Sequence, residues 1–142
     1  MMLRDAILDM WPAPCGAVAI AAHLGLKVTW VIAHGFLAPG LPVWGTWPAD
    51  LDTAFRRFGR SLCFVGRFRD DGLPPLEEFL EYRMPFLRAA PFVAWVEDGT
   101  DDGAHWIAVW REWIATDGRW RRVEDMPAGQ WWARAVWSVK GR

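Results

Sequence analysis

The chain has 142 residues, of which 53% are hydrophobic and 23% charged, and this composition excludes an intrinsically disordered protein. A chain of this length is predicted to form one domain, spanning 1–142, whose core is large enough to fold without metal ions or disulfides. A formal net charge of −1 argues against a nucleic-acid-binding protein, which usually carries a strongly basic patch.

The N-terminal third of the sequence lacks the patterns of export and membrane insertion. Asp5 and Asp9 interrupt the apolar core that a signal peptide needs. Prolines and glycines break the stretch 10–49 before it reaches the roughly 20 apolar residues of a transmembrane helix. Cys15 and Cys63 are too few for a disulfide framework and form no C-x-x-C zinc motif. We expect a cytoplasmic protein without a cofactor, a metal or a membrane contact.

Three helices are predicted before residue 84. The apolar run 15–24 predicts a helix that is buried on all sides and ends at Gly25. A second helix begins near Thr46, a capping-type residue, and Pro48, and its apolar residues recur at helical spacing up to Gly59. The segment 74–83 predicts a third helix with an acidic outer face.

Five strands are predicted from segments rich in Val, Ile, Phe and Trp that turn signals separate, namely 62–68, 92–97, 105–113, 119–124 and 132–139. Tight turns between consecutive strands indicate an antiparallel sheet. The fold class is therefore α+β, with the helices packed against the sheet. The chain holds 12 tryptophans, and those in the predicted strands are expected to fill the core. Four others, in predicted loops, keep other roles open: Trp11, Trp44, Trp47 and Trp131.

Cys15 is the candidate nucleophile. It begins the buried helix, where free backbone N–H groups and the helix dipole are expected to lower the pKa of its thiol. The same N–H groups are suited to bind an oxyanion, and Gly16 leaves space for a substrate. Cys63 lies in the middle of an apolar strand and is expected to be a buried structural thiol.

Of the three histidines, His105 is the candidate base. It begins an apolar strand directly after an acidic turn, and nearby carboxylates favour the imidazolium form. His23 lies eight residues along the helix from Cys15, about 12 Å away, and is expected to be a core or helix-end residue. His34 is expected to lie in a loop.

A third residue should orient the base. Asp125 follows a predicted strand that neighbours the His105 strand, and we expect it in this role. Asp117 is the alternative, although its position before Gly118 is explained by turn chemistry. Trp11, four residues before Cys15, and Trp106 are expected to form walls of the cleft.

The order of these segments resembles papain-like cysteine peptidases, most nearly the peptidases that remove double-glycine leaders from bacteriocins. Five segments carry the resemblance, which spans roughly residues 5–139: Pro14-Cys15-Gly16-Ala17, Gly45-Thr46-Trp47-Pro48, the strand at 91–96, the strand that begins at His105, and an acid near Asp125. The resemblance implies a cysteine-bearing helix packed on an antiparallel sheet. It also implies Cys15 as nucleophile, His105 as base and Asp125 as the orienting carboxylate.

The sequence departs from this family at the oxyanion position. The family usually has a glutamine shortly before the cysteine, where this chain has Asp9. An ionised carboxylate repels an oxyanion, so either another donor replaces the glutamine or catalysis is impaired. Ala17 stands where the family often has proline, and Met126 separates Asp125 from Pro127.

Two functions follow from this reading. The first is a thiol hydrolase that cleaves a peptide or other amide bond through an acyl-enzyme on Cys15. The alternative is a catalytically impaired domain that binds or assembles with a protein partner through exposed tryptophans, for example in a phage or mobile-element particle, where it would be virion-associated. Two narrower hypotheses are a basic substrate segment at Asp98, Asp101 and Asp102, and a carbohydrate site at Trp131-Trp132 or Trp44 and Trp47.

Overall fold

A computed structural model describes residues 3–37, 40–68, 74–80, 91–97, 104–126 and 129–141. The helices are α1 (Cys15–Leu24), α2 (Val28–Val31), which continues into a π-helical turn (Ile32–Phe36), and α3 (Pro48–Arg56). The strands are β1 (Arg60–Arg67), β2 (Phe92–Glu97), β3 (Ala104–Trp110), β4 (Trp113–Ala115), β5 (Trp120–Arg122) and β6 (Trp132–Gly141). They form one antiparallel sheet in the order β1-β6-β2-β3-β4-β5, so the α+β class is confirmed.

Helix α1 is confirmed with the predicted bounds. Its residues 16–22 are buried, and it packs on β3 in the centre of the sheet. Gly25 ends the helix with φ of 65°, a left-handed conformation that glycine adopts without strain, and its N–H donates to the Ala21 carbonyl. Small alanine side chains along α1 let the helix lie close to the sheet, which brings the helix start beside β3.

The second predicted helix corresponds to α3, but the predicted role of Thr46 as its cap is wrong. Trp47 is the N-cap residue, and the Thr46 hydroxyl instead donates to the Pro42 and Val43 carbonyls in the preceding loop. His34 also differs from its prediction. It lies in the π-helical turn rather than in a loop, exposed and with its ring 3.8 Å from that of Trp30.

The sheet separates two clusters of buried side chains. Trp106 and Ala108 of β3 pack towards α1 and α3, whereas Ile107 and Val109 pack into a cluster on the opposite face. The second face is covered in part by a helical segment at 76–80, which agrees with the described part of the predicted helix 74–83. Residues 81–83, and the acidic residues at 98, 101 and 102, lie outside the described part of the chain. No described helix is both long and apolar enough to cross a bilayer.

Most strand predictions differ in detail from the structure, since β1, β5 and β6 replace the predicted strands 62–68, 119–124 and 132–139 with somewhat different bounds. The predicted strand 105–113 is divided into β3 and β4 by a tight turn at Arg111, which has φ of 55°. The burial predicted for Cys63 is wrong, because its side chain is exposed. Cys63 pairs with Ser138 on the edge strand β1 and belongs to neither cluster of buried side chains in the described part of the chain.

One backbone N–H on the outer edge of β1 is hydrogen-bonded by a side chain of α3. One carboxylate oxygen of Asp52 accepts the Leu62 N–H at 2.8 Å, and the other accepts Arg56 Nε at 2.9 Å. We expect Asp52→Ala to lower the free energy of unfolding by about 1 kcal/mol, because the Leu62 N–H loses its acceptor. Asp52→Asn keeps an acceptor and should cost less, as measured by urea denaturation. Equal losses in the two variants would contradict this assignment.

Candidate functional site

Cys15 lies at the start of α1 and opens into a cavity. Its Sγ accepts the backbone N–H of Trp106 at 3.4 Å, so the thiol sits directly against β3. The cavity, of about 220 Å³, is lined in the described part of the chain by seven residues: Cys15, Gly45, Thr46, Trp47, Trp95, Ala104 and Trp106. The predicted cleft-wall role of Trp106 therefore has a geometric basis.

The thiol of Cys15 differs from the prediction in its protonation. Burial raises the pKa of the Cys15 thiol above its ordinary value of 9.0. The N–H groups of Trp106, Gly16 and Cys15 itself act in the opposite direction, but they do not outweigh the loss of hydration. The predicted lowering of this pKa is therefore wrong, and the thiol stays protonated near neutral pH.

His105 is not brought to Cys15. Successive residues of β3 alternate between the two faces of the sheet, and Trp106 takes the face towards α1. His105 consequently shares the opposite face with Ile107, and its ring packs edge-on against Trp131 with centroids 5.3 Å apart. The β3 side chain that packs against α1 is thus the indole of Trp106, where the imidazole of His105 was expected.

Neither candidate for the residue that orients His105 lies on a strand next to β3. Asp125 is exposed in a 3-10 turn (Val123–Asp125) after β5, and β4 separates that strand from β3. The Asp117 carboxylate accepts the Arg119 N–H at 3.2 Å and pairs with Arg121 at 3.0 Å. The hydrogen bond within the turn and this ion pair explain the presence of Asp117 without a role in catalysis.

The other predicted site residues have structural roles. The Asp9 carboxylate accepts both the backbone N–H and the hydroxyl of Thr29 at the start of α2, and these bonds lower the pKa of Asp9. Gly16 is packed closely, since a Cβ there would lie 3.3 Å from Thr46 Oγ1. Trp11 is 83% exposed and is not among the described residues that line the cavity.

A larger cavity adjoins the one at Cys15, and the sequence did not predict it. Its volume is about 400 Å³, and in the described part of the chain it is lined by Trp47, Pro48, Phe64, Arg67, Trp95, Arg134, Ala135 and Trp137. Trp47 and Trp95 line both cavities. We call the two adjoining cavities the tryptophan groove. Of the two tryptophans at 44 and 47 singled out from the sequence, Trp47 lines both cavities and Trp44 is not among the described residues that line either.

Contacts between aromatic rings build the wall of the tryptophan groove. Trp95 stacks on Trp106 with centroids 5.5 Å apart and meets Trp47 edge-on at 5.9 Å. The ring centroid of Trp137 lies 5.3 Å from that of Trp106 and 5.7 Å from that of Phe64. The Trp106 indole N–H donates to the Thr46 carbonyl at 2.9 Å, which fixes this ring to the loop before α3.

The described residues contain no cluster of three or more His, Cys, Asp or Glu side chains that could hold a metal ion. Comparison of the sequence with protein-family models and with curated proteins finds no match.

Proposed function

We propose that this chain is a papain-like domain that binds an apolar segment of a partner protein in the tryptophan groove and does not hydrolyse it. One observation carries the proposal: the β3 side chain that meets the cysteine helix is Trp106, not His105. A thiol nucleophile needs a base within about 2.6–3.2 Å. None of the described residues that line the Cys15 cavity carries an imidazole or a carboxylate.

The protonation of Cys15 supports the same function. A thiol whose pKa lies above 9.0 is almost entirely protonated near neutral pH, and only the thiolate is a strong nucleophile. Asp9 stands where papain-like peptidases of the double-glycine type usually have their oxyanion-binding glutamine. Its carboxylate accepts a hydrogen bond from the Thr29 N–H at the start of α2. The backbone N–H groups of Trp106, Gly16 and Cys15 itself are donors near the sulfur.

The surface of the groove is suited to a protein partner. Trp47 is 64% exposed and Phe64 is 61% exposed, although both line cavities. Tryptophan and arginine are enriched among the residues that contribute most to protein interfaces, and a concave aromatic surface excludes water from a bound apolar side chain. The groove combines these residue types with Arg67 and Arg134 at its larger end.

The hydrolase is the second candidate, and one observation favours it. Cys15 begins a helix packed on an antiparallel sheet, borders a cavity and has a backbone donor at 3.4 Å from its sulfur. Hydrolysis by this site requires an imidazole on the α1 face of β3. His105 has to reach that face for the dyad to form.

Alkylation of Cys15 distinguishes the two candidates. In a Cys63→Ser background, which removes the other thiol, iodoacetamide should react slowly at pH 7, and the rate should still be rising with pH beyond 9.0 because the pKa of the Cys15 thiol lies above that value. His105→Ala should leave this pH profile unchanged. The neutral probe N-acetyl-L-phenylalaninamide, at millimolar concentration, should slow alkylation because it occupies the groove.

A matched variant identifies the groove as the place of protection. Trp47→Ala removes a wall that both cavities share and should reduce protection by the probe, whereas Trp11→Ala should not. If Cys15 is alkylated rapidly near pH 6 and His105→Ala abolishes this rapid reaction, the chain is a hydrolase and the proposed binding function is wrong. Absence of protection at any probe concentration would remove the binding function.

A further inference from the structure

A β-bulge in the edge strand turns Arg67 towards the larger cavity. The pairing of β1 with β6 shifts register between Phe64 and Gly66, which makes Val65 an extra residue. In a regular strand, residues 64 and 67 point to opposite faces. With the bulge, Phe64 and Arg67 both line the larger cavity. Bulges often redirect a side chain in this way beside functional sites.

A second bulge acts on the neighbouring strand. The pairing of β6 with β2 shifts so that Arg134 is the extra residue, and Arg134 and Ala135 both line the cavity although they are adjacent in sequence. Arg134 Nε donates to Glu97 at 2.7 Å, which offsets its charge. Arg67 is exposed, and among the described residues no carboxylate forms an ion pair with it. Within the described part of the chain, the aromatic cavity therefore has a positive end.

We propose that the segment bound in the larger cavity carries a carboxylate beside an apolar or aromatic side chain, and that Arg67 recognises the carboxylate. The inference rests on the proposed function and specifies the chemistry of the partner. Aromatic walls accept the apolar group, and a guanidinium pairs with a carboxylate through two parallel hydrogen bonds. An acidic residue within the partner and the partner's C-terminal carboxylate both present this chemistry.

Two small probes that differ only in having a carboxylate or a carboxamide test the inference. N-acetyl-L-phenylalanine carries a carboxylate, and N-acetyl-L-phenylalaninamide is its neutral counterpart. Each is titrated into the full chain at low ionic strength while the indole N–H signal of Trp137 is followed by NMR, with the signal assigned through Trp137→Phe. We expect the acid to bind about fivefold more tightly than the amide, since the ion pair is partly exposed to solvent. Added salt should reduce this preference.

Arginine variants separate this inference from the proposed function. Arg67→Gln should abolish the preference for the acid, whereas Arg119→Gln, an exposed arginine beyond the groove, should retain it. Equal binding of acid and amide to the wild-type chain would overturn the role of Arg67 and leave groove binding intact. If neither probe shifts the indole N–H signal of Trp137 while the amide still protects Cys15 from alkylation, the inference is wrong and the proposed function stands. If both signals are absent, both proposals fall.

Peptides then distinguish the two sources of carboxylate. A Phe-Asp pair inside a peptide with blocked ends represents an internal acidic residue, and a peptide that ends in phenylalanine with a free carboxylate represents a C-terminus. Preference for either peptide over its neutral amide counterpart, lost in Arg67→Gln, supports the inference and identifies the source. Absence of a preference with both peptides would overturn it.

Discussion

Trp106→Ala is expected to lower the free energy of unfolding by about 3–5 kcal/mol, the range for truncating a large buried aromatic residue. Trp106 is 3% exposed, packs against Trp95 and Trp137, and donates its indole N–H to the Thr46 carbonyl. The truncation removes these contacts together and leaves the carbonyl without its donor. Urea denaturation followed by far-UV circular dichroism measures the loss.

Two further variants make the Trp106 prediction specific. Trp11→Ala truncates a tryptophan that is 83% exposed and should change the free energy of unfolding by less than about 0.5 kcal/mol. Trp106→Phe keeps an aromatic ring but no indole N–H, so it should lose about 1–2 kcal/mol and remain folded even where the alanine variant does not. The assignment of Trp106 as the central packing residue fails if the alanine variants at 11 and 106 are equally stable.

The elements with the strongest local signals were predicted well. Helix α1 and strand β2 have the predicted bounds, since glycine ends the helix and an apolar run bounded by turn residues marks the strand. The strand 105–113 was predicted as one element because the turn at Arg111 lacks glycine, asparagine or proline. Local sequence signals therefore fix an element best where a residue of restricted conformation ends it.

The site was predicted less well, for a reason specific to β3. Both faces of β3 are buried, so its side chains are apolar on either side and no alternation of polarity shows which residues face α1. His105 and Trp106 differ by one position, and that single step decides whether an imidazole or an indole meets Cys15. The two bulges are likewise set by pairing between distant strands, so the positions of Arg67 and Arg134 had no local signal.

The pKa of Cys15 illustrates a related difficulty. The start of a helix favours a thiolate through its N–H groups, and the sequence placed Cys15 there correctly. Desolvation depends on what covers the thiol, and the cover comes from β3 and from the loop before α3. These segments lie about 30 and 90 residues away in the chain, so burial and its effect on the pKa follow only from the tertiary structure.

Acidification is expected to destabilise the protein through His23. Burial lowers the pKa of His23 from 6.5 to about 4, the Phe92 carbonyl acts against this shift, and the charge of Arg60 adds to it. The ring lies against Phe55 and Trp120, and its Nε2 is 2.9 Å from the Phe92 carbonyl. A carbonyl only accepts hydrogen bonds, so Nε2 carries the proton of a neutral imidazole.

The sign of the pH effect follows from the two pKa values of His23. Above pH 6.5 the ring is neutral in both the folded and the unfolded states, and its contribution to stability is fully present. As the pH falls from 6.5 towards about 4, the unfolded chain takes up a proton that the folded chain does not, and the contribution is lost. The expected loss from this histidine between pH 7.5 and pH 4 is about 3 kcal/mol.

His23→Gln isolates this contribution from that of the carboxylates, which also titrate in acid. Glutamine keeps an N–H donor for the Phe92 carbonyl but does not ionise, so the variant should lose about 3 kcal/mol less than wild type over the same pH range. His34→Gln, at an exposed ring, should retain the wild-type pH dependence. Urea denaturation at several pH values measures all three chains. Parallel pH curves for wild type and His23→Gln would show that His23 does not carry the acid sensitivity.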